Sequence, residues 1–334
     1  MNRTVLVLRE PDIRRLLDPA SCLEAVENAF TAYATGGASL PAVINLDVEE
    51  SRGEVHIKAG HLRGTPQYAV KIASGFYDNP SRGLPQNDGM VLVFEAQTGV
   101  PSALLLDNGF ITELRTGSAG AVAAKHLARR DARVVGVVGC GHQARFQLES
   151  LALVRPFDDV RIYGRRPDRA RARVEQLAAD PAIPRGCRVT AVREVREAVE
   201  GADIVVTVTS SREPLVRAAW LSPGAHVTAV GSDGPDKREL HTDVLRRADL
   251  IVADSRSQCL LLGEIHHAVA EGAIPEERIG CELGEITAGK KPGRRSDAEI
   301  TVCDLTGVGV QDVAAAALVL ARARAAGAGQ PIAL

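Results

Sequence analysis

The chain has 334 residues, a formal net charge of −2 and 45% hydrophobic residues, enough for two packed cores and without the cation surplus of a polyanion-binding protein. Nucleic acid and membrane surfaces are therefore poor partners, and every long apolar stretch is interrupted by Gly, Pro or charge before it could span a bilayer. Six cysteines without C-x-x-C or Cys/His ligand spacing point to small core residues in a reducing, cytoplasmic compartment rather than to a disulfide framework or a zinc site.

In chain order, Val5 to Leu8 is an apolar run too short for a signal-peptide core. Ile13, Leu16, Leu17, Leu23, Val26, Phe30 and Tyr33 then fall at helical spacing and predict two short helices parted at Asp18-Pro19. From Pro41 the pattern changes to strand-like runs at 42–48, 55–59, 68–72, 90–94 and 102–106. The Gly, Pro and Asp/Asn turns between them predict a mainly antiparallel sheet. The stretch 75–89 reads as a long, turn-rich loop, either a cover for a site or a solvated surface loop. Ile111 to Ser118 enters a helix rich in small residues (Ala119, Gly120, Ala121, Ala123, Ala124) that is expected to link two domains and lie under a cofactor. Arg115 near its start could anchor an anion at the helix N-terminus, or equally cap a neighbour at the surface.

The next segment is the most informative. Val134, Val135, Val137 and Val138 lead into Gly139-x-Gly141-x-x-Ala144 and helix-compatible residues, the order strand, Gly-rich turn, helix of a dinucleotide fingerprint. Gly139 serves the tight turn, Gly141 the approach of backbone N–H groups to a pyrophosphate, and Ala144 close helix packing. An ordinary Gly-rich βα turn is the competing reading. Apolar runs at 159–163, 188–192, 204–209, 226–231, 250–254 and 300–304 alternate with helical segments and predict an α/β, Rossmann-type doubly wound parallel sheet. An alanine-rich final helix, 311–326, is expected to pack on the first domain. Lys290-Lys291-Pro292-Gly293-Arg294-Arg295 reads as a solvated basic loop. His266-His267 are neighbours that cannot share a helical face as ligands, so no metal is indicated.

The second strand of the parallel sheet ends Ile162-Tyr163-Gly164-Arg165-Arg166-Pro167. An acidic residue would serve the adenosine ribose of NAD there, whereas guanidiniums suit a 2′-phosphate. NADP(H) is thus favoured, with Arg165 the first candidate ligand and Arg166 the second. Asp168, one turn on, keeps NAD(H) open.

Several segments together resemble the ornithine cyclodeaminase/μ-crystallin family. They are Val70-Lys71-Ile72, Leu114-Arg115-Thr116, Gly139-x-Gly141-x-Gln143-Ala144, Gly231-Ser232-Asp233, Glu239-Leu240, Gly263-Glu264, Glu282-Leu283-Gly284-Glu285 and Thr306-Gly307-x-Gly309-x-Gln311-Asp312. Within it, the Pro80–Pro85 loop, Leu105-Leu106-Asp107-Asn108-Gly109, Leu262 to Ala268 and Ala288 to Arg294 are most similar to the ectoine-utilisation branch, and part of the pattern is similar to bacterial iminosuccinate reductases. The resemblance implies a smaller α+β substrate-binding and dimerisation domain (1–125, completed by 314–334), a Rossmann domain (126–313) and a homodimer. It also implies that Lys71 and Arg115 bind the substrate carboxylate and that Asp233 exchanges protons. Cofactor contacts would come from Thr116, Gly139, Gly141, His142, Gln143, Ala144, Thr209, Ser210, Val230 and Gly231, and a substrate contact from Gly307. A purely structural role for Lys71 and Asp233, as a buried ion pair, is the alternative.

The chain departs from the cyclodeaminase pattern at three positions. Asn45 stands where cyclodeaminases carry an arginine, His56 falls near a glutamate that takes the distal ammonium, and Lys58 falls near the Met of the Met-Pro two positions on. Losing an anion and gaining a cation favours a substrate whose far end is neutral or negative, unless Lys58 is a strand-edge lysine facing water. The expected function is an NAD(P)H-dependent oxidoreductase acting on the CH–NH bond of a small amino or imino acid, an imine reductase or the reverse dehydrogenase, with ectoine catabolism as its most specific form. The alternatives are an ornithine cyclodeaminase releasing proline and ammonia, and a non-catalytic NADPH-dependent small-molecule binder.

Overall fold

The computed structural model describes residues 4–333. In chain order these form β1 (Thr4–Arg9), α1 (Glu10–Leu16), α2 (Pro19–Ala34), β2 (Ala38–Ser39), β3 (Ile44–Val48), β4 (Gly53–Leu62), β5 (Gln67–Phe76), β6 (Asn87–Glu95), β7 (Pro101–Leu106) and α3 (Phe110–Leu127). The second half carries β8 (Val134–Val138), α4 (His142–Ala152), β9 (Asp159–Tyr163), α5 (Pro167–Ala178), β10 (Arg188–Val192), α6 (Val195–Val199), β11 (Ile204–Thr207), β12 (His226–Ala229), α7 (Thr242–Arg247) and β13 (Leu250–Ala253). It ends with α8 (Arg256–Cys259), α9 (Gly263–Ala270), β14 (Ile279–Glu282), α10 (Leu283–Thr287), β15 (Thr301–Asp304), α11 (Gly309–Ala326) and β16 (Gln330–Ala333). Two compact units result, one of Met1–Arg115 with Val308–Leu334 and one of Thr116–Gly307, so α3 begins in the first and ends in the second.

The first unit is built on an eight-stranded sheet in the order β16-β1-β7-β6-β5-β4-β2, with β3 also on β4. All pairs are antiparallel except β1 with β7. The break at Asp18-Pro19 is as expected: Asp18 accepts from Ser21 N at 2.9 Å, and Pro19 opens α2. The two faces of the sheet differ. Lys58 pairs with Lys71, Lys71 with Val91 and Val91 with Leu105, all on a buried face. One residue along, Ile44, Ile57, Ile72 and Met90 form a cross-strand row on the opposite face, where Ile44 (59%), Leu46 (54%) and Met90 (37%) stay exposed. Packing of α11 on the buried face depends on glycine, since a Cβ at Gly309 would lie 2.6 Å from the Ala59 carbonyl oxygen. The stretch expected as a loop over 75–89 is shorter, because β5 and β6 continue as a hairpin to Phe76 and Asn87. The apolar run Val5 to Leu8, not read as a strand, lies in β1, and β16, which pairs with it from far along the sequence, was not anticipated.

The second unit is a wholly parallel eight-stranded sheet, order β10-β9-β8-β11-β12-β15-β13-β14, with helices in its connections. The strand order reverses between β8 and β11, the topological switch at whose carboxyl ends doubly wound sheets bind ligands. The basic loop is not simply solvated. Arg294 turns inward and donates to the carbonyls of Leu127 (2.6 Å), Glu299 (2.5 Å) and Ala225 (3.2 Å), at the strand ends opposite the switch point.

Candidate active site

In the first unit, the register that sets Lys58 opposite Lys71 brings two ammonium groups into the buried layer, with Lys58 6% and Lys71 2% exposed. A surface role for Arg115 and a water-facing Lys58 are both corrected by this burial. Arg115, 4% exposed, donates from Nε to Asp312 Oδ1 at 2.9 Å and from Nη1 to Gln311 Oε1 at 2.7 Å, while Lys71 Nζ lies 3.6 Å from Asp312 Oδ2. Within the first unit, the Lys71 ammonium thus stands against Asp312. Burial pushes Asp312 upward, but the charges of Arg115, Lys71 and Lys58 outweigh it and hold the carboxyl below its ordinary value, so it stays ionised at neutral pH. Beside this cluster, His56 Nδ1 and Asn45 Oδ1 are 2.7 Å apart across β3 and β4, so the two substituted specificity positions are brought together.

The α3 N-terminus that carries Arg115 is set by an Asp-Asn-Gly turn, in which Asn108 (φ 51°) and Gly109 (φ 82°) are both left-handed. Asp107 caps it, accepting from Ile111 N at 2.8 Å. Burial, aided by the Asp312 charge, pushes the Asp107 carboxyl up to about 6.

In the second unit, Gly139 turns the chain after β8 at φ +123°, and a Cβ there would lie 2.7 Å from the Val208 carbonyl oxygen. Gly141 differs: a Cβ there would meet nothing within 4 Å, at the N-terminus of α4, which has no side-chain cap. Open space in front of uncapped first-turn N–H groups is what a pyrophosphate would occupy, so these residues fit a dinucleotide. His142 and Gln143 open that helix and Ala144 is buried beneath it. Burial and Arg173 hold the His142 imidazole below its ordinary value, and Arg173 Nε donates to the Cys140 carbonyl inside the turn at 3.2 Å. At the tip of β9, Arg166 pairs with Asp168 at 2.9 Å, and Arg165 is exposed. Thr116 accepts from Gln147 Nε2 at 3.0 Å through its carbonyl, tying the small-residue stretch of α3 to α4.

Thr209 and Ser210 follow β11, and Val230 and Gly231 follow β12, all at the carboxyl edge. Asp233, in the loop after Gly231, accepts from Lys237 Nζ at 2.7 Å. Gly307 (φ +82°) donates to Asp254 Oδ2 at 2.6 Å and accepts from Gln258 Nε2 at 3.1 Å. The sequence reading had no role for Asp312, Gln311, Arg173 or Lys237. Asp312 and Gln311 were legible only as part of the Thr306-to-Asp312 motif. Arg173 could have been found from its place one helical turn after Arg169, on a helix leaving the cofactor-side strand. Among the described residues, no group of three or more His, Cys, Asp or Glu is arranged to hold a metal ion.

The ornithine cyclodeaminase/mu-crystallin family model matches residues 3–327. An archaeal alanine dehydrogenase dimer with bound NAD is 36% identical, with a TM-score of 0.91 over 99% of each chain. The Δ1-pyrroline-2-carboxylate reductase of Thermococcus litoralis, in complex with NADH and L-proline, is 34% identical with a TM-score of 0.92, over 98% of this chain and 99% of that one. The iminosuccinate reductase of Paracoccus denitrificans, in complex with NAD+, is 32% identical with a TM-score of 0.87, over 99% and 100%. The chain belongs to the ornithine cyclodeaminase/mu-crystallin family.

Proposed function

We propose that this family member is an NAD(P)H-dependent oxidoreductase of the CH–NH bond, reducing a small α-imino acid or cyclic imine to the L-amino acid or running the reverse oxidation. The observation that carries this reading is the convergence of Lys58, Lys71 and Arg115 on the buried Asp312. Three cations around one carboxylate make a site for a further anion, and the Lys71 and Arg115 pair suits an α-carboxylate held in one orientation. Lys58 then takes a second, distal carboxylate, which makes an imino dicarboxylate the favoured substrate and argues against the distal ammonium of ornithine. The relatives named for iminosuccinate, pyrroline-2-carboxylate and alanine support the reaction class.

A dinucleotide held there would supply the hydride chemistry at the substrate Cα. The Gly139–Ala144 turn would hold its pyrophosphate, with Thr116, His142, Gln143, Thr209, Ser210, Val230 and Gly231 as further contacts, and Gly307 would contact the substrate. Asp233 exchanges the proton of the substrate nitrogen, its charge steadied by Lys237. NADP(H) remains our preference over NAD(H), because Arg165 is exposed at the β9 tip while Asp168 is engaged by Arg166. A homodimer fits the apolar row Ile44, Ile57, Ile72 and Met90, which a second copy would cover. The relative titled as a dimer supports this. We assign the protein to the cytoplasm on its six free cysteines; no helix of the described residues is long and apolar enough to cross a membrane. An ectoine-breakdown role rests on the motifs Leu262 to Ala268 and Ala288 to Arg294. Glu264 and Arg294 within them are engaged by the protein's own backbone.

The test is consumption of NADH and of NADPH with iminosuccinate, pyrroline-2-carboxylate, piperideine-2-carboxylate and ammonia-plus-keto-acid pairs. Iminosuccinate should be the best substrate. Proline and ammonia formed from L-ornithine without added reductant would instead identify a cyclodeaminase. Tight NADPH binding with no turnover across the panel would identify a binder. Arg165→Asp should move preference toward NADH.

A further inference from the structure

The carboxyl ends of β11 and β12 are joined by a side chain rather than by the sheet. The last rung of their ladder is Val230 N to the Thr207 carbonyl at 3.0 Å. Beyond it, Thr209 N donates to Glu239 Oε1 at 2.5 Å and Gly231 N donates to Glu239 Oε2 at 2.8 Å. One carboxylate thus spans the two chains where they leave the sheet. Glycine at 231 is required by this clamp: a Cβ there would lie 2.1 Å from the Thr209 carbonyl oxygen and 2.7 Å from Glu239 Cδ.

The clamp is itself clamped. Glu239 N and Leu240 N donate to Glu264 Oε1 and Oε2 at 2.7 and 3.0 Å, and the Glu239 carbonyl accepts from Leu215 N and Val216 N at 2.7 and 3.0 Å. Glu239 is 0% and Glu264 1% exposed. A carboxylate so deeply buried is costly unless its oxygens are satisfied, and here backbone amides from two separate loops do it.

We propose that Glu239 is a positioning residue: its carboxylate fixes the separation of the Thr209–Ser210 and Gly231–Asp233 segments, and so holds the cofactor contacts and the proton-exchanging Asp233 in register. This rests on the dinucleotide reading above. Glutamine is the informative replacement. It keeps the volume but offers one oxygen, and its amide N–H₂ would face a backbone N–H that also donates.

Glu239→Gln is to be compared with the parent for cofactor Kd by nicotinamide fluorescence, for kcat and both KM values, and for thermal midpoint. The expected result is a folded variant with a midpoint within a few degrees, a cofactor Kd raised about tenfold or more and an unchanged imino-acid KM. If Glu239→Gln does not fold, Glu239→Asp, whose shorter side chain cannot reach both the Thr209 and Gly231 amides, should raise cofactor Kd in the same way. A merely structural role would lower the active fraction with Kd and both KM values intact, and that result, or an unchanged Kd and kcat in a folded variant, overturns the proposal. A parent that binds neither NADH nor NADPH would overturn the dinucleotide reading and this inference together, so the two failures are distinct.

Discussion

The two units bury charge in opposite ways. The first gathers Lys58, Lys71 and Arg115 about one acid, Asp312, which those cations keep ionised. The second buries Glu239, Asp254, Glu264 and Asp304, and each accepts at least one backbone amide. Burial pushes Glu239 up to about 7 and Glu264 and Asp304 well above the ordinary range. Acids held by their own backbone have little left to offer a ligand, and they act as rivets of loop geometry. Cations clustered on a single acid are an anion site in waiting. In the proposed function the substrate carboxylate falls to the cations of the first unit, while the buried acids of the second unit place its loops.

The sharpest way to break this contrast is Lys71→Met. If the cluster binds the substrate carboxylate, kcat/KM should fall about 10³-fold with the protein still folded, since a desolvated charge-assisted contact and the orientation it imposes are lost together. Adding Asp312→Asn should recover stability lost by uncovering the buried acid but not turnover. Full activity in Lys71→Met would reduce the cluster to a structural ion pair.

A smaller effect separates the two fingerprint glycines. Alanine at 139 must clash with the Val208 carbonyl and adopt φ +123°, so Gly139→Ala should lower stability as well as cofactor binding. Alanine at 141 meets only open space. Gly141→Ala should keep the parent's thermal midpoint without cofactor while weakening NAD(P)H by about ten- to a hundredfold, read by fluorescence titration. Equal loss of stability in both variants would mean that the turn serves the fold alone.

These contrasts also mark what the sequence could and could not convey. The Rossmann half was legible because seven of its eight strands are local apolar runs beside a turn signal; β14, an Ile-Gly-Cys-Glu stretch, lacked that signal and was missed. Lys71 and Arg115 were legible as motif residues, but their acid was not: Asp312 lies 197 positions from Arg115, and α11 brings it to both through tertiary contacts that no local pattern encodes. Likewise, Glu239 bonds to Thr209 across 30 positions through a carboxylate that no periodicity encodes. Lys58 was ambiguous because alternation says which residues share a face but not which face is covered.

Lys58 supplies the next test. Lys58→Met should cut kcat/KM for iminosuccinate about tenfold relative to an imine without a distal carboxylate. An unchanged ratio would leave Lys58 as support for Asp312 and remove the dicarboxylate preference.

Asp107 offers the finest test, because it is an acid of the first unit that behaves like those of the second. Burial, with the Asp312 charge, pushes it up to about 6 from an ordinary 3.8. A carboxyl raised in this way favours the folded state fully below its unfolded value, and the contribution is lost as pH rises through about 6. The shift corresponds to at most about 3 kcal/mol between pH 4 and 7. Asp107→Asn keeps an oxygen for the Ile111 amide but does not titrate, so denaturation midpoints of the parent should fall relative to the variant across that window. The contributions of Glu239, Glu264 and Asp304 are common to both proteins and cancel in the difference. Parallel profiles would mean that the cations around Asp312 reach Asp107 as well. The division would then follow distance from Lys58, Lys71 and Arg115 alone, with every acid of the first unit drawn into the anion site.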